Sequence, residues 1–147
     1  MLPLESSIAP QLKALGFRKK ARTWWRPTEE TINVLNLQRS QFGERLYVNL
    51  GVYVKQLGQE MNPPEHRCHV QVRLERVASE RFWNAIVTAE SETLPPAELT
   101  EAVLTDGLAW LDQLSTLDGI RSYINSGGTS KGIVLASVRQ LVNGRDA

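Results

Sequence analysis

The stretch TINVLNLQRSQFGERLYVNLGVYVK, residues 31–55, decides the fold. Successive side chains of a strand leave opposite faces of its sheet, so an apolar residue at every second position marks one buried side. Leu46, Val48, Leu50, Val52 and Val54 alternate in this way with Tyr47, Asn49, Gly51, Tyr53 and Lys55. Pairing Leu35 with Leu50 and Leu37 with Val48 across the turn at 40–44 carries the same division into the preceding strand. It sets Gln38 beside Tyr47, Asn36 beside Asn49 and Val34 beside Gly51 on the second, largely polar face. A slip of one residue would turn every apolar side chain to water, so this register is strongly specified.

Outward from this hairpin, strand-like segments at 21–27, 31–39, 45–56 and 68–76 are separated by Pro27-Thr28-Glu29-Glu30, by the turn with Gly43, and by 58–66 with Pro63-Pro64. Val70, Val72 and Leu74 join the dry face and leave His69, Gln71, Arg73 and Glu75 on the polar one. Before the sheet, Leu4, Ile8, Leu12 and Leu15 predict a helix ending at Gly16, with Ser7 as N-cap so that Pro10 falls in the first turn. After it the apolar period becomes helical. Phe82, Trp83, Ile86 and Val87 mark a short helix, and Leu104, Leu108, Leu111 and Leu114 a longer one beyond Pro95-Pro96. Leu117, Ile120 and Ile124 follow a break near Ser115, and 133–142 reads as a final helix beyond Gly127-Gly128. The expected fold is α+β in one domain over 1–147: a helix over 1–16, a four-stranded antiparallel meander over 21–76, and three to four helices within 79–143 packed on one face.

With 147 residues and 41% hydrophobic content, the chain has enough apolar material for a core without disulfides. Seventeen Lys plus Arg against sixteen Asp plus Glu give a net charge of +1, which argues against a dedicated nucleic-acid binder. The charge is unevenly spread: residues 1–76 carry twelve basic and seven acidic side chains, residues 77–147 five and nine. Cys68 is alone, which excludes an internal disulfide and fits a reducing cytoplasm. Residues 1–15 lack a basic leader with a continuous apolar run, and no apolar stretch approaches the ~18 residues of a membrane span. A cytoplasmic location without membrane contact is the expectation.

The polar sheet face supplies the candidate binding residues Asn36, Gln38, Tyr47, Asn49, Gly51, Tyr53 and Arg73. The amides offer paired donors and acceptors, the tyrosines stiff amphipathic area, and Arg73 a planar fork suited to carboxylate or phosphate. Gly51, without a side chain, predicts a dip beside Val34. The competing reading is a solvated sheet face whose amides bond one another across strands. A second candidate is the basic run Arg18, Lys19, Lys20 and Arg22 leading into Trp24, the charge-plus-ring composition that holds single-stranded nucleic acid. Adjacent Trp24 and Trp25 point to opposite faces, so at least one belongs to the core.

His66-Arg67-Cys68-His69 falls short of a zinc ligand set and of a complete Cys–His catalytic group. Gly127-Gly128-Thr129-Ser130-Lys131-Gly132 has phosphate-loop residue types but not the spacing, and reads as a turn in which Thr129 or Ser130 caps the last helix. No carboxylate pair suggests general acid–base chemistry. Neither a metal, nor a cofactor, nor a catalytic residue is expected.

The order Leu15-Gly16-Phe17-Arg18-Lys19, Thr23-Trp24-Trp25-Arg26, Asn36-Leu37-Gln38-Arg39-Ser40 and Tyr47-Val48-Asn49-Leu50-Gly51-Val52-Tyr53 resembles the DUF4304 domain family of small bacterial proteins. The likeness covers roughly the first 76 residues. It implies no activity or cofactor, and it adds that Asn36, Gln38, Ser40, Asn49 and Gly51 belong to the family's pattern. The expected function is a non-enzymatic cytoplasmic protein-binding module whose polar sheet face recognises another protein. By analogy with other small α+β proteins, that partner would be a bacterial toxin and this chain its immunity or antitoxin-like protein. The alternatives are a nucleic-acid module on residues 18–26 and a protein holding a small anionic ligand over Gly51 with Arg73 as clamp. Tyrosines on an open sheet also make a homodimer an alternative.

Overall fold

The computed structural model describes residues 1–144; residues 145–147 of the expected domain lie outside the described residues. Helix α1 (Pro3–Ala14) leads into a sheet of β1 (Arg18–Lys20), β2 (Thr23–Pro27), β3 (Thr31–Arg39), β4 (Leu46–Val54), β5 (Val70–Arg73) and β6 (Ile133–Val134). These six strands lie in sequence order and pair antiparallel throughout. The register of β3 on β4 is the expected one, with Leu35 opposite Leu50, Asn36 opposite Asn49 and Val34 opposite Gly51.

Four strands were expected and two short ones are added at the edges. β1 turns into β2 through Ala21, whose φ of 54° places an alanine where a glycine or asparagine is usual. Hence the hairpin carries no recognisable turn residue. β6 takes the start of the segment expected as the last helix. Gly132 there lies so close to β5 that an added Cβ would stand 2.2 Å from the Gln71 carbonyl oxygen, and Leu135 N–H donates to His69 O at 3.0 Å. Those contacts hold the chain extended before α6 (Ala136–Asn143), whose N-cap is Leu135 and not a hydroxyl of Thr129 or Ser130.

Helix α1 begins earlier than Ser7. Leu2 is its N-cap, Pro3 occupies the first turn, and Glu5 Oε1 accepts the Leu2 N–H at 2.9 Å. Pro10 therefore lies inside the helix, on its exposed side. At the other end Gly16 adopts φ 94°, and Phe17 N–H reaches back to Leu12 O at 3.0 Å, the bond that closes a helix through a left-handed glycine.

Between β5 and β6 come α2 (Trp83–Val87), α3 (Ala97–Ala102), a π-helical segment (Val103–Gly107), α4 (Leu108–Gln113) and α5 (Leu117–Asn125). α1 and these helices cover one sheet face. The core joins Ile8 and Leu12 to Trp24, Leu35, Leu50, Val72 and Leu74 of the sheet side and to Phe82, Leu99, Leu111 and Ile120 of the helical side. At its margin Asn33 is fully buried, donating to Leu111 O at 3.3 Å and to Ser115 Oγ at 3.2 Å while Arg26 Nε donates to its Oδ1. Among the described residues no helix is long and apolar enough to cross a membrane.

Candidate functional site

The second sheet face divides into two unlike halves. At the end carrying Trp25, Ile32, Val34 and Tyr53, the connection 55–69 between β4 and β5 folds back and makes a second, smaller core that includes Cys68. Trp25 Nε1 donates to Pro63 O at 2.8 Å, and Tyr53 Oη accepts the Glu60 N–H at 3.2 Å. Tyr53 is thereby only 5% exposed. The expected dip at Gly51 is filled from within: a Cβ there would lie 2.8 Å from Cys68 Sγ. Neither residue offers a surface to a partner. Gly51→Ala is accordingly expected to cost about 1–3 kcal/mol by overpacking, with a smaller loss in a Cys68→Ala background; urea unfolding of the single and double variants measures both.

At the other end the face stays open. Asn49 Nδ2 donates to Gln38 Oε1 at 2.9 Å and to Asn36 Oδ1 at 3.2 Å, and Asn36 Nδ2 donates to Thr23 Oγ1 at 2.9 Å. The amides thus bond one another across β3 and β4, as the solvated-face reading expected, with the Thr23 hydroxyl extending the ladder to β2, and Asn49 is 5% exposed. Next to this ladder the Tyr47 ring carries two guanidinium groups, Arg73 at 3.7 Å and Arg45 at 4.6 Å from its centroid. Arg45 also faces Glu75 at 3.7 Å. Tyr47 and Arg73, two of the expected binding residues, therefore form one stiff platform beside Gln38, while Gly51 and Tyr53 belong to the covered half.

Beyond Arg73 a cavity of about 440 Å³ opens between β5 and the turn that leads into β6. Gln38, Asn49 and Arg73 reach it, together with Glu65, Arg76 and Lys131. None of these last three was among the expected binding residues: Glu65 lies in the connection, Lys131 was read as part of a turn, and Arg76 fell in the strand expected over 68–76, whereas β5 ends at Arg73 and Leu74–Arg76 forms a 3-10 turn. Burial pushes the Glu65 carboxyl up to about 7, against the opposing pull of Arg73. Burial, with Glu65 and Glu60 adding to it, also pushes the Cys68 thiol up, so it stays protonated at neutral pH. His69 is pushed down by burial, and its Nδ1 accepts the Val54 N–H at 2.9 Å. Among the described residues no group of three or more His, Cys, Asp or Glu is arranged to hold a metal ion.

The basic segment has a different fate from the one its composition suggests. Trp24 is 1% and Trp25 8% exposed, one in each core, so neither ring is free to stack on a base. Lys19 pairs with Glu5 at 3.0 Å, and Arg18 donates to Asn62 and to Met61 O. Lys20 and Arg22 are exposed at the hairpin edge.

A family model described as a domain of unknown function, DUF4304, matches residues 8–113. The chain belongs to this family. The DUF4304 match runs from α1 through α4 and so includes Tyr47, Glu65, Arg73 and Arg76, whereas Lys131 and β6, which close the cavity, lie beyond it. No curated protein and no solved structure matches the chain.

Proposed function

We propose that this protein is a non-enzymatic binding module that recognises another protein through the open half of its polar sheet face. The observation that carries the reading is the platform of Arg45, Tyr47 and Arg73. Tyrosine and arginine dominate the energetics of protein interfaces because they bring large contact area and directed hydrogen bonds at low entropic cost. Stacking fixes both arginines in advance, and the amide ladder fixes Gln38 beside them, so little ordering remains to be done on binding. The groups closest to catalytic chemistry are otherwise engaged: Cys68 is protonated and buried, and His69 Nδ1 is occupied by the Val54 amide. A toxin-neutralising partner remains the concrete form of the proposal.

The test is capture from lysate of the source cells at moderate and at high salt, comparing the parent protein with Tyr47→Ala and Arg73→Ala. A stoichiometric protein retained at high salt by the parent and weakened by about 2 kcal/mol or more in either variant is the expected result; a toxin-like partner would also lose its own activity in the complex. Equal retention by both variants would remove the platform from the interface. Tyr47 is half-buried, and its loss should cost the fold less than about 1 kcal/mol.

A further inference from the structure

Three cations converge on one cavity. Arg73, Arg76 and Lys131 all line the space between β5 and the turn before β6, and among the described residues none of them stands in an ion pair. Each is positioned by something other than charge. Arg73 lies on the Tyr47 ring, Arg76 Nη2 donates to Ser130 O at 3.2 Å, and Lys131 follows directly in a turn that Gly132 presses against Gln71 O. The carboxyls of the same cavity do not cancel them. Glu75 is turned to Arg45 at 3.7 Å, and burial of Glu65 favours its uncharged form. Gln38 keeps its Nε2 donors free, since it meets Asn49 through Oε1. Ile133, 51% exposed, adds an apolar wall.

We propose that this cavity binds a small organic anion, with its phosphate or carboxylate group held by Arg73, Arg76 and Lys131 and its uncharged part resting between Ile133 and the Gln38 amide. The volume of about 440 Å³ falls in the range of small-ligand sites. An oxyacid group satisfies the converging guanidinium and ammonium donors, and a neutral ligand would leave them without counter-charge. The site differs from the one expected over Gly51, which Cys68 occupies. It shares Arg73 and Gln38 with the partner face, whereas Arg76 and Lys131 are not part of the Tyr47 platform.

Thermal unfolding and titration calorimetry at constant ionic strength test the proposal with citrate, glucose 6-phosphate, adenosine monophosphate and inorganic phosphate, and with glucose as the uncharged control. At least one organic anion is expected to raise the melting temperature saturably by several degrees, and glucose not at all. The double variant Arg76→Ala/Lys131→Ala should bind that anion at least tenfold more weakly. Both side chains are exposed, so its far-UV circular dichroism should match the parent's. Tyr47→Ala, which removes the ring under Arg73 but leaves Arg76 and Lys131 in place, should weaken binding less than the double variant does. A carboxylate ligand and a phosphate ligand are told apart by which probe saturates. The proposal is overturned if no organic anion gives a saturable shift, if inorganic phosphate alone matches every organic anion, or if the double variant binds as the parent does.

Discussion

Trp24→Ala is expected to lower folding stability by about 3–5 kcal/mol. The indole is among the largest fully buried side chains of the protein, 1% exposed on the helix-covered face opposite Leu35. Truncating it removes most of a large apolar surface from the core and leaves a cavity that β2 and α1 can close only in part. Against a total of about 5–15 kcal/mol for a domain of ordinary stability, the variant should remain folded at room temperature and unfold at a much lower urea concentration. The same substitution decides between two readings of the segment. A ring used to stack on bases would be exposed, and its loss would weaken nucleic-acid binding with little effect on the fold. A stability loss below about 1 kcal/mol would place Trp24 at the surface and reopen that reading.

The hairpin of β3 and β4 was legible in the sequence because its two periodicities agree. Leu35, Leu37, Leu46, Val48 and Leu50 lie on one side with Asn36, Tyr47 and Asn49 between neighbours, and a slip of one residue would turn one strand's apolar side chains outward. The edge strands were not legible. Arg18–Lys20 is three basic residues joined through an alanine turn, and Ile133–Val134 is too short to show any period. Both are held by tertiary contacts that a local pattern does not contain.

The polar face shows a subtler limit. The pairing of Gln38 with Tyr47, Asn36 with Asn49 and Val34 with Gly51 is the expected one, but the alternation does not say that one half is covered. The signal was present in Trp25, Ile32, Val34 and Tyr53, four large apolar or aromatic side chains grouped at one end of a face read as polar. Such a group needs a cover, and the long connection with Pro63-Pro64 was the segment able to supply it. The residues that complete the cavity, Glu65, Arg76 and Lys131, come from that connection and from two other irregular segments, where side-chain direction depends on the path of the chain and not on its period.

Glu65→Gln is expected to remove a pH dependence of stability that the parent protein carries between pH 5 and pH 8. Burial raises the carboxyl from its ordinary 4.5 to about 7, so the native state holds a proton that the unfolded chain releases. Stability therefore falls as pH rises from 4.5 and levels off above 7, where both states are ionised. The gap corresponds to at most about 3 kcal/mol, and partial solvent contact reduces it to about 1–2 kcal/mol. Glutamine keeps the shape and remains neutral, so the variant should match the parent at pH 5 and exceed it by that amount at pH 8 in urea unfolding. The groups facing Glu65 do not reverse the sign. The pull of Arg73 on β5 is smaller than the effect of burial, Cys68 stays protonated, and Glu60 is paired with Arg67 at 2.8 Å. His69, pushed below its ordinary 6.5, acts in the opposite window, costing stability as pH falls, and it cancels because both proteins contain it. A variant less stable than the parent at pH 8 would mean that Arg73 holds Glu65 ionised. The cavity would then carry a second negative charge, and an anion in it would bind more weakly at every pH above that carboxylate's titration.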